Sequence, residues 1–476
     1  MQIRRWSATA LMGGLLAAGL AGCAVGPDYQ APAEPLTAFH TAPPAAQSPA
    51  PPLDAWWTGF RDPMLTGLID RALEQNLDLA ASLARVRQSR AAAEAAGAQL
   101  LPTVDFTPQV ARQRQSLDSP TGAIAKQFPG YKRDQTLYDV DIGASWEIDL
   151  FGGLRRGAEA AEAEEAAAEA ARAGTRISVA ADIADAYFRI RGDQARITVT
   201  REQIATNEHL LDLVRRRFER ELAADREVAQ AEALLSQARA SLQPLAIDLE
   251  AQLNRLDVLL GQQPGTVAAD LAAPAAIPAI PAIAASVQPT DLLRRRPDVI
   301  AAERTLAATN ARIGVAVSDY YPKISLAGVL GFESLTSGDL FKAATFQPQG
   351  VAGLRWRLFD FGKVDAQVAA AKGAQAEALA NYRKSVLHAA EDVENAFTTL
   401  AQTGAHGEEL AREVAALKRA RDASQAAYTN GVIALTDVLD ADRQLLAAQD
   451  ELAATRADEA RAAVGSFRAL GGGWSA

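Results

Sequence analysis

The sequence predicts a mainly α-helical, internally duplicated chain with four transmembrane β-strands and long coiled-coil helical hairpins. Three observations predict this fold class. The order of elements repeats in two halves, runs of alternating apolar and polar residues precede each long helix, and the long Pro-free stretches carry apolar heptads. Alternation with period two indicates strands, and a sustained heptad indicates a coiled coil.

The chain begins with the features of a bacterial lipoprotein signal. Two arginines precede an uncharged apolar stretch at about residues 8–20, which is shorter than the roughly 20 residues that a membrane-spanning helix needs. The motif Leu20-Ala21-Gly22-Cys23 resembles a lipobox, in which the chain is cut before an acylated cysteine. We therefore predict a signal peptide over residues 1–22 and lipidation of Cys23 at the outer membrane. The alternative is an ordinary signal peptide with a chance cysteine nearby.

Composition argues against several classes of function. A formal charge of −10 disfavours nucleic-acid binding, and a single cysteine leaves no disulfide framework or thiolate metal cluster. None of the four histidines has the spacing of a zinc site. A metal site at His388 with Glu391 and Asp392 is the alternative to a solvated helix face there. With no catalytic constellation in the sequence, we expect neither an enzyme nor a cofactor.

Matching residues define the duplication. Leu101-Pro102 matches Tyr321-Pro322 at an offset of 220 residues, and Trp146 matches Trp356 at an offset of 210 residues. Phe151-Gly152 matches Phe361-Gly362 at the second offset. The predicted segments are a lipidated Pro/Ala-rich tether (23–55), a first repeat (56–260), a linker (261–290), a second repeat (291–470) and a tail (471–476).

Each repeat contains two predicted strands, at about 103–112 and 138–150 in the first and about 323–333 and 350–360 in the second. In the second strand, apolar residues including Trp146 alternate with Asp139, Asp141 and Glu147. Each run has about the length that a tilted strand needs to cross a bilayer. We predict that the three acids face a wet lumen, whereas Trp146, Leu354 and Trp356 face lipid.

Four strands are too few for a closed barrel, which needs about eight. Because lipid tolerates no open sheet edge, strands that cross the membrane require the chain to oligomerise. The alternative is two β-hairpins packed on a soluble core.

The long helices form two predicted hairpins, at 153–260 and 362–468, with turns at about 219–226 and 429–435. In the first, apolar residues recur every seven positions at Ile183, Ile190, Ile197, Ile204 and Leu211. Pro244 is expected to kink or break its helix.

Several motifs occur in a recognisable order along the mature chain. They are Trp56-Trp57, Asn76-Leu77-Asp78, Leu292-Leu293-Arg294-Arg295-Arg296-Pro297-Asp298 and Asp437-Val438-Leu439-Asp440-Ala441. With them, the chain resembles the TolC-like outer-membrane efflux lipoproteins of the NodT type.

This resemblance implies a homotrimer, with a twelve-stranded barrel above a periplasmic α-helical tunnel. It implies a passive exit channel for small molecules in a tripartite efflux pump, with a periplasmic adaptor protein and an inner-membrane RND-type transporter as partners. The alternative is a periplasmic coiled-coil lipoprotein, structural or adhesive, without a pore.

The resemblance also implies a closable acidic tip lined by Asp437 and Asp440. Their spacing of three residues places both carboxylates on one helix face. Tyr428 is expected to hydrogen-bond an acid of the neighbouring hairpin, and Glu227 is the repeat-matched candidate.

The hairpin turns differ from the family pattern. Gly431 lies in the second turn, whereas Glu221 stands where relatives often have a glycine in the first. Ile433 stands where some relatives place a latch arginine. We therefore expect a weaker or differently built latch.

Overall fold

The computed structural model describes residues 24–33, 37–41, 50–283 and 289–475. The signal segment and Cys23 lie outside the described residues. In chain order the elements are a 3-10 helix (Leu53–Phe60), α1 (Pro63–Gln75), α2 (Leu77–Ala98), β1 (Thr103–Arg114), α3 (Pro120–Ala125), β2 (Asp134–Ile148), α4 (Gly153–Glu219), α5 (Asp225–Leu259), α6 (Pro289–Arg295), α7 (Pro297–Ser318), β3 (Lys323–Ser334), two short 3-10 turns (Ser337–Asp339 and Ala343–Thr345), β4 (Phe346–Arg355), α8 (Lys363–Thr429) and α9 (Leu435–Ala469). The predicted order of helix, two strands, long helix, turn and long helix therefore occurs twice.

Two compact units divide the chain. The first contains all four strands and comprises Met1–Pro32, Arg87–Ala166 and Glu303–Ala380. The second contains the ends of both helical hairpins and comprises Ala33–Val86, Ala167–Ala302 and Asn381–Ala476. Among the described residues, no helix combines the length and the apolar composition that a membrane span needs.

The four strands form one antiparallel sheet in the order β1-β2-β3-β4. Thr103 lies opposite Ser145 in the first β-hairpin, and Lys323 lies opposite Arg355 in the second. These are the same positions once the offsets of 220 and 210 residues are applied, so the duplication preserves the register. β2 and β3 join the two hairpins by pairing directly.

The register gives the sheet one apolar face. Phe106 of β1 lies opposite Ile142 of β2, which lies opposite Leu330 of β3. The members of this face are Val104, Phe106, Pro108 and Val110 of β1, Val140, Ile142, Ala144 and Trp146 of β2, Ile324, Leu326, Leu330 and Phe332 of β3, and Phe346, Pro348, Ala352 and Leu354 of β4. Side chains alternate along a strand, so Asp139, Asp141 and Glu147 share the opposite face.

β4 differs from its predicted bounds of about 350–360. It begins earlier because Phe346 pairs with Phe332 of β3, and Pro348 is tolerated within it because an edge strand can lack a backbone N–H. It ends at Arg355 because Arg355 pairs with Lys323, the first residue of β3. The prediction that Trp356 and Leu358 belong to the strand is therefore wrong for the chain alone.

Two tryptophans at equivalent positions of the two repeats form hydrogen bonds with the backbone near the ends of the strands. The Trp146 indole N–H donates to the carbonyl oxygen of Leu100 at 2.9 Å, and the Trp356 indole N–H donates to that of Tyr320 at 2.9 Å. Leu100 and Tyr320 each lie two residues before the matched prolines. Trp356 thus keeps the contact of its repeat equivalent, although it lies beyond β4.

The segment after Cys23 is bound to the folded body along its described part. The Val25 N–H donates to the carbonyl of Phe151 at 3.0 Å, and the Arg156 guanidinium donates to the Asp28 carboxylate at 2.6 Å. Gly26 approaches Gly314 so closely that a Cβ at Gly26 would lie 2.4 Å from its Cα. Residues 24–33 contain no helix or strand, as expected of an extended segment, but the predicted tether of residues 23–55 did not include contacts with the body.

The heptads of α4 face the interior. Ile183, Ile190 and Ile197 are buried, and each lies one heptad from the next. The predicted break at Pro244 is not observed, because α5 continues through it to Leu259. Pro244 and Ala240 are both exposed, so water can hydrogen-bond the carbonyl that lacks a donor.

The two helical hairpins turn with the same backbone geometry. Their hydrogen bonds, all 2.8–2.9 Å, run from Glu221 N to Phe218 O and Leu222 N to Arg217 O, and from Gly431 N to Tyr428 O and Val432 N to Ala427 O. This pair of bonds is a Schellman motif, which places its C′ residue in the left-handed region. Gly431 has φ +76° there, and Glu221 has φ +59°. The first turn therefore has the left-handed backbone conformation that favours glycine, although Glu221 occupies the position.

We expect Glu221→Gly to stabilise the first hairpin turn locally by about 1 kcal/mol, because an L side chain is strained at this φ and a carboxylate is unfavourable at a helix C-terminus. Hydrogen exchange of the Glu221 and Leu222 amides measures the effect as slower exchange. Gly431→Ala is the matched control and should speed exchange in the second turn, since its Cβ meets no atom within 4 Å and only the φ is strained. Unchanged exchange in both variants would contradict the prediction.

Candidate functional site

The ends of the two helical hairpins pack on each other through a buried apolar group, here called the tip cluster. Its members are Leu210, Leu211 and Val214 of α4, Ala231, Leu234 and Leu235 of α5, Tyr428 of α8, and Leu435, Val438 and Leu439 of α9. All four long helices contribute, so both repeats share one small core at this end.

Tyr428 is the polar member of the tip cluster and is only 2% exposed. Its hydroxyl donates to Glu227 Oε2 at 3.4 Å, which is a long hydrogen bond between α8 and α5. Burial, with a smaller contribution from the Glu227 carboxylate, raises the pKa of Tyr428. The phenol therefore stays protonated and can donate its hydrogen bond. Glu227 is the acceptor that the match between the repeats predicted.

Arg217 supplies a cation that sequence reasoning missed. Its guanidinium carbon lies 4.7 Å from the centre of the Tyr428 ring, and Nη1 donates to the Tyr428 and Thr429 carbonyls at 3.1 and 3.5 Å. It thus combines a cation–π contact with capping of the C-terminus of α8. Ile433, at the expected arginine position, instead packs against the tip cluster. A basic residue in the last turn of α4 was the only sequence signal, and it does not reveal a target on another helix.

Asp437 and Asp440 are exposed on one face of α9, as their spacing predicted. The Asp437 carboxylate accepts from the Ala434 N–H at 3.3 Å and so helps to begin the helix. The Asp440 carboxylate accepts from the Gln444 side-chain amide at 2.7 Å. Neither has a Lys or Arg ion-pair partner in the described part of this chain. Both negative charges therefore remain open to solvent.

Asp442 is a buried acid just behind this face, and the sequence analysis did not single it out. It is 2% exposed, and its Oδ1 lies 3.7 Å from Arg421 Nε, too far for a hydrogen bond. Burial raises the pKa of Asp442, and Asp422 adds to this, whereas Arg421 opposes it. Two residues after Asp440, it points away from the exposed face, which helical spacing alone indicates.

The remaining candidate residues lie elsewhere. Asp139 lies opposite Glu333 on β3, so two acids meet on the polar face of the sheet. A lumen-facing role for Asp139, Asp141 and Glu147 stays a prediction. His388 lies 3.1 Å from Glu391 on the surface, and the described residues contain no group of metal-ligating side chains.

The chain is similar to known outer-membrane efflux proteins over most of its length. The family model described as outer membrane efflux protein matches residues 68–262 and 289–472. The chain is 32% identical over 435 residues to the pyoverdine export outer membrane protein OpmQ of Pseudomonas putida, covering 91% of each chain. It is 32% identical over 472 residues to the solvent efflux pump outer membrane protein SrpC of Pseudomonas putida, covering 96% of each. The solved outer-membrane channel OprN superposes with a TM-score of 0.84 at 32% identity, covering 95% of this chain and 100% of that one.

We expect Arg217→Gln to lower the free energy of unfolding by about 1–2 kcal/mol, because it removes the ring contact and weakens the capping of α8. Urea titration of the purified protein measures this. Arg216→Gln is the matched control, since Arg216 is exposed and, among the residues that the structure describes, forms an ion pair only with Asp212 one turn earlier. In a Tyr428→Leu background the effect of Arg217→Gln should shrink, and an undiminished effect would show that the aromatic ring is not its target.

Proposed function

Because this chain belongs to the outer membrane efflux protein family, we propose that it is the outer-membrane exit channel of a tripartite efflux pump. Three copies form the channel, and small molecules pass through it passively from the periplasm to the exterior. Its partners are a periplasmic adaptor protein and an inner-membrane RND-type transporter. The observation that carries the proposal is the sheet, which separates an apolar face from a more polar face that carries Asp139, Asp141 and Glu147. Such a sheet suits lipid on one side and water on the other.

The alternative hypothesis is a periplasmic coiled-coil lipoprotein without a pore. The heptads are consistent with a structural coiled coil, but that hypothesis does not explain four strands with an exposed apolar face. Phe106 and Leu354 on that face are each 66% exposed in the single chain, which is costly in water. The likeness to the channel OprN over almost the whole chain also supports the channel.

The relatives argue against a cargo-selective duct. OpmQ and SrpC are equally similar to this chain, yet one is named for pyoverdine export and the other for solvent efflux. We therefore infer that selection lies in the inner-membrane transporter. The acidic lumen and tip then only bias the channel towards cations.

The hairpin ends form the gate in this proposal. In a homotrimer Asp437 and Asp440 each become a ring of three like charges, which repel one another when the tip narrows. The tip cluster, the Tyr428–Glu227 hydrogen bond and Arg217 oppose that repulsion within each copy. Docking of the adaptor opens the tip by binding the open arrangement more tightly. Gly431 lets the second turn adopt its left-handed conformation without strain.

The anchor completes the proposal. Acylated Cys23 holds the N-terminus at the outer membrane, and more than one acyl chain gives stable attachment. The contacts of Val25 and Asp28 with the body keep the following residues close to the strand-bearing unit.

Single-channel recording in planar bilayers tests the gate. We expect Asp437→Asn/Asp440→Asn to lose divalent-cation block and part of the cation preference, because both charged rings disappear. Tyr428→Phe should raise basal conductance, because it removes the hydroxyl donated to Glu227. Glu377→Gln, which neutralises an exposed acid near the start of α8, is the control and should behave like the wild type. If all four proteins conduct and block alike, these residues are not the gate.

Insertion into the membrane tests the faces of the sheet. Leu354→Arg should impair assembly in the outer membrane by about 2–4 kcal/mol if it lies near the bilayer midplane. Glu147→Arg is the control, because its side chain occupies the polar face and should be tolerated. Recovery of folded protein from outer-membrane fractions is the measurement. Equal recovery of the two variants would show that the lipid-facing assignment is wrong.

A further inference from the structure

The last part of β1 carries two arginines on the face of the sheet that the proposed function assigns to lipid. β1 pairs with β2 in an uninterrupted register from Thr103 to Arg114, so its side chains alternate between the two faces along the whole strand. Arg112 and Arg114 therefore share a face with Val110 and with the apolar residues before it. This face changes from apolar to basic along one strand.

The change occurs at the end of the sheet that lies away from the long helices. The helices α2 and α4 join the other ends of β1 and β2. Val104 to Val110 span about 20 Å along the strand, and Arg112 and Arg114 follow Val110 by about 7 and 13 Å. Tyr138 lies opposite Val110, at the end of the apolar band, where aromatic residues of a membrane interface are found. The two arginines are therefore placed level with the lipid headgroups on the exterior side.

Both guanidinium groups have donors available to a ligand. Arg112 is exposed and forms neither a hydrogen bond nor an ion pair with any other residue that the structure describes. Arg114 Nη1 lies 3.6 Å from Asp134 Oδ1, which is beyond hydrogen-bond distance, and the two side chains are 65% and 56% exposed. The sheet itself therefore leaves these charges largely uncompensated.

The duplication shows that the strand does not need these arginines. The repeat offset of 220 residues makes Phe332 and Ser334 of β3 the equivalents of Arg112 and Arg114. Neither equivalent is charged, yet β3 forms the same kind of antiparallel hairpin with β4. The positive charge is therefore a property of the first β-hairpin alone.

The loop that follows β1 has the same character. Residues 112–134 contain only two acidic residues, although the whole chain has a formal charge of −10. Their basic residues are Arg112, Arg114, Lys126, Lys132 and Arg133. Ile124 and Phe128 of this loop are 62% and 65% exposed. Basic side chains beside exposed apolar ones are typical of segments that lie at the boundary between headgroups and acyl chains.

The chemistry of these groups indicates the ligand. The planar N–H donors of arginine match the oxygen atoms of a phosphate group, with which they form short, charge-assisted hydrogen bonds. A soluble anion would gain nothing from the apolar face next to the arginines. A lipid places its acyl chains against that face and its phosphates at the arginines.

We propose that Arg112 and Arg114, with the basic loop after them, bind the phosphate groups of a phosphorylated glycolipid in the outer leaflet. The proposal rests on the proposed function, because it requires the apolar face to lie in the outer membrane. It adds a lipid-binding surface on the first β-hairpin of each copy, with no counterpart on the second.

Native mass spectrometry of the purified protein, titrated with diphosphoryl lipid A, tests this surface. We expect Arg112→Gln to weaken binding about fivefold and Arg112→Gln/Arg114→Gln about 25-fold, because each basic residue near an anionic membrane surface contributes roughly that factor. Arg355→Gln is the matched control, since Arg355 is an exposed arginine at the other end of the sheet and on its opposite face. Equal binding by the wild type and the double variant, or an equal loss in the control, overturns the proposal.

Asp134 provides a test of opposite sign. Asp134→Asn removes the carboxylate that competes with the lipid for Arg114, so we expect about two- to fivefold tighter binding of diphosphoryl lipid A. In an Arg114→Gln background the same substitution should change binding much less. Weaker binding by Asp134→Asn, or the same gain in both backgrounds, would contradict the role of Arg114.

Two further ligands identify what is recognised. Monophosphoryl lipid A has one phosphate fewer, so it should bind the wild type more weakly than diphosphoryl lipid A does. Inorganic phosphate should not displace the bound lipid. Equal affinity for the two lipids would show that the phosphates are not recognised, and displacement by inorganic phosphate would indicate a site for soluble anions; either result overturns the proposal.

Planar-bilayer recording of the same preparations separates this surface from the channel. The double variant should conduct like the wild type, because both substitutions leave the polar face of the sheet unchanged. A conducting wild type that binds diphosphoryl lipid A no better than the double variant overturns the lipid surface and leaves the channel proposal intact. A wild type that neither inserts nor conducts overturns both.

Discussion

A strand in hydrocarbon must have both edges paired, because an unpaired backbone N–H or carbonyl there costs several kcal/mol. The rest of this structure depends on that constraint. Four strands satisfy it only at the three internal pairings, and β1 and β4 each keep one free edge. The matched register of the two β-hairpins keeps most of the large apolar side chains on one face. The free edges and the single apolar face together make one copy an incomplete membrane structure.

The sequence predicts what depends on local periodicity and misses what depends on partners. Alternation in β2 places Asp139, Asp141 and Glu147 on one face, since the period of two follows from the backbone. The end of β4 at Arg355 escapes prediction because the partner strand begins at Lys323. The role of Arg217 is not predicted for a similar reason, because the residue that it contacts, Tyr428, lies on the other helical hairpin.

The duplication preserves the backbone at the hairpin ends but not the chemistry. Glu221 and Gly431 occupy the same left-handed turn position, with and without a side chain. Tyr428 donates its hydroxyl to Glu227, whereas its repeat equivalent Phe218 has none to donate. The tip cluster is therefore held by a polar contact on one side only. In the proposed gate, this inequality between the two repeats gives the opening movement a preferred place to begin.

The free edges of β1 and β4 also affect how the protein folds and assembles. Because the free edges of β1 and β4 can be paired only in an assembly, completing the sheet and assembling the channel are one event. Stability then depends on protomer concentration, as in obligate oligomers that lack a stable folded monomer. A lone copy would expose Trp356 and Phe361 as sticky apolar surface in the periplasm. A copy that stays single is therefore prone to aggregate before it assembles.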